Sequence, residues 1–353
     1  MNDYFVERNN KNAILLKKLK SELPFFCEEF FLGIDSKTSM LTKVNYARDL
    51  KIFFTFLTKE VYEFNSKKIK ELTLEDLNKI TSTHIEMYLD YLTYYVDDEN
   101  LSHSNSNKTK ARKISALRAF FGYLYKKERI KENVTTKIDM PKLTDKEIVR
   151  LDINEVVNIL NLAESGDGFS KNQKAFFEKT QKRDFAMLSL FLGTGIRISE
   201  LVGLNIDDFN FEDNSFVVTR KGGSRMILYY SDEVKDALIN YLDFRKEQQK
   251  NKDEELDLHS PFFISLQNKR INVRSVENLV KKYAKVVTPL KKITPHKLRS
   301  TFGTNLYQET KDIYVVAEVL GHKDVNTTKK HYAAISENLR RDALSSVKLR
   351  KDD

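Results

Sequence analysis

The sequence has a single cysteine, Cys27, so neither a disulfide nor a thiolate zinc cluster can be built within the chain. Lying among Phe25, Phe26 and Phe30, Cys27 reads as core filler, which fits a reducing cytoplasm. Long apolar runs are also missing. No stretch reaches spanning length, and the opening MNDYFVERNNKNA lacks the apolar core of a signal peptide. A soluble cytoplasmic protein with no membrane partner is expected. No Walker loop and no carboxylate pair stands out to compete for the chemistry. His322 and His331 have no carboxylate or cysteine at ligand spacing, so no metal site and no cofactor are expected. Repeats of solenoid length and low-complexity tracts are absent too.

What is present suits an ordinary folded protein. The 353 residues are enough for two domains, each with its own core, and a 41% hydrophobic share excludes large-scale disorder. Net charge is +9 and pI about 9.2, which favours a polyanionic partner; a Lys-rich compositional bias would give the same figure.

Up to about residue 135 the chain reads as helices only. Tyr46, Leu50, Phe53, Phe54 and Leu57 recur at helical spacing, with Thr42 as the expected cap. Further helices are predicted over roughly 74–80 and 83–95, followed by a loop at SHSNSN (102–107). In the next helix Ile114, Leu117, Phe121 and Leu124 share a face. Opposite them fall Lys108, Arg112, Ser115, Ala119 and Lys126, basic at both ends and small in the middle. That face suits a phosphate backbone or a major groove; it also suits an ordinary solvated helix face. TTKIDMPKLTDKEIVR (135–150) reads as a linker. The expected domains are therefore 1–138, a linker at 139–150, and 151–353.

Beyond Leu151 the pattern is mixed. Helices are predicted near 153–163, 183–192, 231–249, 273–286, 295–308, 312–320 and 327–335, with an SFVVTR/RMILYY hairpin around KGGS. The fold class is mainly α, with a small antiparallel sheet in the second domain.

Phosphodiester transfer needs cations on the non-bridging oxygens, a nucleophile in line and a proton for the leaving oxygen. Arg197 follows the apolar stretch AMLSLFL and the turn Gly193-Thr194-Gly195. It either holds an anion or pairs with Glu200 three residues on; both roles are compatible. Thr294 and Pro295 read as N-cap and first helical position, placing His296 in the first turn with Arg299 on its face. Lys221 sits at the hairpin tip, where a flexible ammonium can donate a proton; Arg220 and Arg225 flank it as candidate DNA contacts. Gly321 reads as a helix C-cap with His322 just outside, and Asn326 caps the helix bearing Tyr332. A phenol near pKa 10 is ionised about one part in a thousand at pH 7, a deficit of ~4 kcal/mol that neighbouring cations would reduce.

With these residues in place, the chain resembles the tyrosine recombinase (phage-integrase) family, and within it Xer-type enzymes of the single-protein kind. The likeness spans nearly the whole chain, from ELPFFCEEFF and YARDLKIFFTFL through KRDFAMLSLFLGTGIRISELVGLNIDDF, HKLR, LGH and the Tyr332 segment. It implies a helical SAM-like core-binding domain followed by an integrase catalytic domain. It assigns the catalytic set to Arg197, Lys221, His296, Arg299 and His322, with Tyr332 as nucleophile and Glu200 in support. The residues expected on DNA are then Lys108, Arg112, Ser115, Lys126, Arg220 and Arg225. The implied partner is double-stranded DNA with paired inverted-repeat sites. A homo-tetramer in the synaptic complex, a neighbour-docking terminal segment (SENLRRDALSSVKLRKDD) and a DNA translocase as a further partner are also implied. The implied role is Xer-like chromosome-dimer resolution in a bacterial, nucleoid-associated setting; the alternative is integration of a mobile element by the same chemistry. A type IB topoisomerase and a non-catalytic DNA-binding regulator fit less well. Two departures from the family pattern stand out. Ser300 follows the second arginine where many members have histidine, and the His322–Tyr332 gap is one residue longer than the commonest Xer spacing.

Overall fold

The computed structural model describes residues 3–97, 99–143, 149–220, 223–250, 257–321 and 324–325. The chain divides into two compact units, residues 1–146 and 147–353.

The first unit contains α1 (Asp3–Lys20), α2 (Cys27–Gly33), α3 (Met40–Glu60), α4 (Leu74–Leu77), α5 (Ser82–Tyr91), the strands β1 (Tyr94–Val96) and β2 (Ser102–Ser104), and α6 (Asn107–Lys126). The expected apolar stripes are buried: Leu50, Phe53 and Phe54 of α3 and Ile114, Leu117, Phe121 and Leu124 of α6 are all at 0% exposure. Burial of each such side chain contributes roughly 1.5–3 kcal/mol. Phenylalanine edges lock the layers, as where Phe30 meets Phe120 at 5.3 Å and 90°. Cys27 lies in this core, and burial raises its thiol pKa well above the usual value.

Two local expectations need correction. The cap of α3 is Ser39, whose Oγ accepts from Thr42 N at 3.4 Å; Thr42 is the third helical residue. The segment expected to be loop contributes β2, which pairs antiparallel with β1, so this unit is not helices alone. Ring stacking explains the hairpin: Tyr95 lies 4.9 Å from both Tyr91 and His103.

The second unit contains α7 (Ile153–Ser165), α8 (Lys171–Thr194), α9 (Ile198–Gly203), β3 (Phe209–Asn210), β4 (Ser215–Thr219), β5 (Arg225–Tyr229), α10 (Asp232–Lys250), α11 (Val273–Val287), α12 (Pro295–Thr310) and α13 (Ile313–Leu320). The strands form an antiparallel sheet in the order β3-β4-β5, with Thr219 opposite Arg225. Helix α8 begins well before the apolar stretch that predicted it and packs against α7, α10 and α12. Leu151 N donates to buried Thr301 Oγ1 at 3.0 Å, pinning the start of this unit to α12.

Candidate active site

Two glycines make the site possible. Gly195 ends α8 in the left-handed region, φ 62°, and a Cβ there would lie 2.5 Å from Phe302 and 2.9 Å from Leu320. Gly321 ends α13 with φ 60°. The bare backbone at Gly195 therefore lets α12 and α13 converge on the C-terminal end of α8.

Arg299 projects from α12 into that convergence and is 5% exposed. Its guanidinium donates through Nη1 to Gly195 O and through Nη2 to Leu320 O. Both acceptors terminate helices, where aligned peptide dipoles present partial negative charge worth up to ~2 kcal/mol to a cation in partly buried geometry. These carbonyls carry no formal charge, so they orient the guanidinium without neutralising it.

Arg197 arrives from the other side. It is the N-cap residue of α9, and its own backbone N donates to Glu200 Oε2 at 3.0 Å. Its Nη1 donates to Glu200 Oε1 at 2.9 Å and its Nη2 to Gly321 O at 3.3 Å. Glu200 is 4% exposed while the Arg197 side chain is 37% exposed, so a buried carboxylate braces a guanidinium that still faces outward. Pairing with Glu200 and availability to an anion thus coexist. The last two carbonyls of the α13 end hold one arginine each, directly before His322 in the sequence.

The Thr294 N-cap and Pro295 at the helix start stand as expected. His296 is exposed in the first turn of α12, and its carbonyl accepts from Ser300 Oγ at 3.0 Å. Lys221, His322 and Tyr332 lie outside the described residues, as does the helix predicted over 327–335.

The candidate DNA contacts divide. Lys108, Arg112, Ser115 and Lys126 are all exposed on α6, and Arg225 is exposed on β5. Arg112 has a second attachment, a forked pair with Asp49 through Nη1 and Nη2, the latter at 2.8 Å from Oδ1. Asp49 is 2% exposed and also accepts from Lys113 Nζ at 3.3 Å. Arg220 does not project from the hairpin surface. Its side chain is 14% exposed, with Nε 4.0 Å from Glu200 Oε1. The strand alternation contains the signal for this placement: Phe216 and Val218 point inward, and residue 220 has the same parity. Among the described residues no cluster of metal-ligating side chains occurs, and no helix is long and apolar enough to cross a membrane.

Comparison with known proteins gives a consistent result. Residues 149–338 match the phage integrase family, and residues 28–128 match its N-terminal SAM-like domain. A tyrosine recombinase XerC from Caldanaerobacter subterraneus subsp. tengcongensis is 32% identical over 342 residues, covering 93% of this chain and 88% of that protein. A tyrosine recombinase XerS from Streptococcus agalactiae is 30% identical over 360 residues, covering 96% and 100%. Among solved structures, a XerH site-specific recombinase bound to a palindromic difH substrate in a post-cleavage complex matches with TM-score 0.61. It has 20% identity over 83% of this chain and 76% of that one, which establishes the likeness of fold.

Proposed function

The chain belongs to the phage integrase family and is a site-specific tyrosine recombinase, and from that premise we propose that Tyr332 is its nucleophile in a Xer-like resolution of joined DNA circles. The observation carrying this reading is the meeting of Arg197 and Arg299 on the adjacent carbonyls of Leu320 and Gly321. Two fixed guanidinium groups at one helix end suit the two non-bridging oxygens of one phosphodiester.

In the proposed step, Tyr332 Oη forms a bond to phosphorus as the bond from phosphorus to the 5′ oxygen breaks. Lys221 gives its proton to that departing oxygen. One imidazole of the pair His296 and His322 receives the phenol's single proton, and the other hydrogen-bonds the reacting oxygens. Arg197 and Arg299 stabilise the charge gathering on the non-bridging oxygens, each contact being worth ~3–4 kcal/mol. The product is a 3′-phosphotyrosine and a free 5′-hydroxyl. Attack by a 5′-hydroxyl from a second duplex reverses the chemistry with exchanged ends and yields a Holliday junction. One ester replaces another, so the bond energy is retained.

Residues 1–138 and residues 151–353, joined through 139–150, would then each contact double-stranded DNA, with a homo-tetramer bringing paired inverted-repeat sites together. Xer-like resolution is favoured over mobile-element integration because the XerC and XerS relatives align along nearly the whole chain. A DNA translocase is the natural further partner for such a role, and the cytoplasm its natural setting.

A nicked suicide substrate carrying candidate sites tests the assignment. The wild-type protein is expected to become covalently attached, and Tyr332→Phe to bind without attaching. Attachment that survives this substitution moves the nucleophile elsewhere.

A further inference from the structure

Arg220 occupies a seat that an ordinary hairpin arginine does not. Its guanidinium is wedged between Glu200 and Gly321, and a Cβ at position 321 would fall 1.1 Å from Arg220 Nη1. The seat therefore exists only because residue 321 has no side chain. At 4.0 Å the Nε–Glu200 approach is an ion pair without a hydrogen bond. Arg220 Nε and Nη2 are buried, with no hydrogen-bond partner among the described residues. Burial lowers the guanidinium pKa; Glu200 opposes that shift and Arg197 adds to it. A charged group held at such a cost calls for a use.

The backbone of the same residue closes the hairpin loop. Arg220 N donates to Ser224 O at 2.8 Å, and Gly223 N donates to Arg220 O at 3.0 Å, with Gly223 in the left-handed region at φ 85°. Lys221 is the next residue in the chain. Arg220 thus has its main chain at the base of the Lys221 loop and its side chain in contact with the two groups that hold Arg197.

We propose that Arg220 is a positioning residue that ties the Lys221-bearing loop to the Arg197–Arg299 pocket, through Glu200 on one side and the bare backbone of Gly321 on the other. The inference rests on the reading of Lys221 as the proton donor. It differs from a phosphate contact through Nε or Nη2, because those atoms are buried. It differs from simple fold support, because its effect falls on proton delivery to the leaving 5′ oxygen.

The test compares single-turnover cleavage of two suicide substrates, one with the natural 5′ oxygen and one with bridging sulfur. Sulfur departs as a thiolate and needs no proton at the moment of bond breaking. Full-length Arg220→Met, Arg220→Lys and Lys221→Ala are measured beside wild type. Lys221→Ala is expected to lose activity on oxygen and to cleave the sulfur substrate near the wild-type rate. Arg220→Met is expected to follow it, with a loss on the order of 10²-fold on oxygen, as befits general-acid catalysis, and near wild-type cleavage of sulfur. Arg220→Lys retains the charge and is expected to lose less, again on oxygen only. Equal loss of both substrates in the Arg220 variants, or loss of neither, overturns the proposal. If Lys221→Ala itself is not rescued by sulfur, it is the Lys221 assignment that fails.

Discussion

Glu200 is a buried carboxylate, yet two guanidinium groups approach it and its partner Arg197 remains partly exposed. Replacing it with glutamine preserves shape and one acceptor but removes the charge between Arg197 and Arg220. Glu200→Gln is expected to lower stability by about 1–3 kcal/mol, since charged donors lose their best partner. Urea denaturation reads that loss. Cleavage is expected to fall on the order of 10²-fold, the effect of displacing a reacting group by about an ångström, with DNA binding retained. A variant that cleaves normally would remove Glu200 as the brace of Arg197. At this scale the sequence was highly legible where chemistry restricts residue type. Arg197, Glu200 and Arg299 come together at the end of α13, and for the proposed phosphate clamp arginine has few substitutes. What sequence reasoning missed was the acceptor side. The glycines at 195 and 321 read as turn and cap residues, but the closeness of their carbonyls to two arginines depends on contacts between distant segments. Arg220 was misplaced for another reason: the hairpin-tip argument took precedence over the period-2 alternation that set its direction.

Helix α6 shows how one element serves packing and surface at once. Its apolar stripe is sealed into the first core, while Lys108, Arg112, Ser115 and Lys126 remain on the outside. Removing a lysine from that face changes little in the fold, whereas Arg112 also holds buried Asp49. Lys108→Ala and Lys126→Ala are accordingly expected to stay within about 0.5 kcal/mol of wild-type stability. Arg112→Ala is expected to lose about 1–3 kcal/mol by weakening the satisfaction of the Asp49 carboxylate. Filter binding across a salt series separates the DNA effect: each lost phosphate contact lowers the slope by about 0.9 on B-DNA, whatever the sequence bound. Unchanged slopes for both lysine variants would take α6 off the DNA. Elements with strong periodicity, such as α3 and α6, were readable at once. The β1–β2 hairpin was not, since its strands have three residues each and β2 consists of Ser, His and Ser. Its stabilising stack joins Tyr91, Tyr95 and His103, and no local pattern announces that tertiary contact.

Taken whole, the molecule joins a net charge of +9 to a chemistry that exchanges one phosphoester for another. The charge promotes binding to any duplex, and that attraction is sequence-independent. Cutting everywhere it binds would make the protein a general topoisomerase. The Xer-like reading demands instead that cleavage wait for paired sites, so the two functions part on one substrate. A supercoiled plasmid lacking a recombination site is expected to keep its superhelical density in the presence of excess protein. A plasmid with two directly repeated sites is expected to give two circles whose lengths sum to that of the parent. Because the phosphotyrosine stores the energy of the broken bond, and the proposed charge stabilisation comes from Arg197 and Arg299 with Lys221 supplying the proton, the resolution is expected to proceed without ATP and in excess chelator. Gel electrophoresis of the products decides the matter. A ladder of relaxed topoisomers from the site-free plasmid would assign the protein to relaxation rather than exchange, and dependence on a divalent ion would show that the two arginines do not suffice for the clamp.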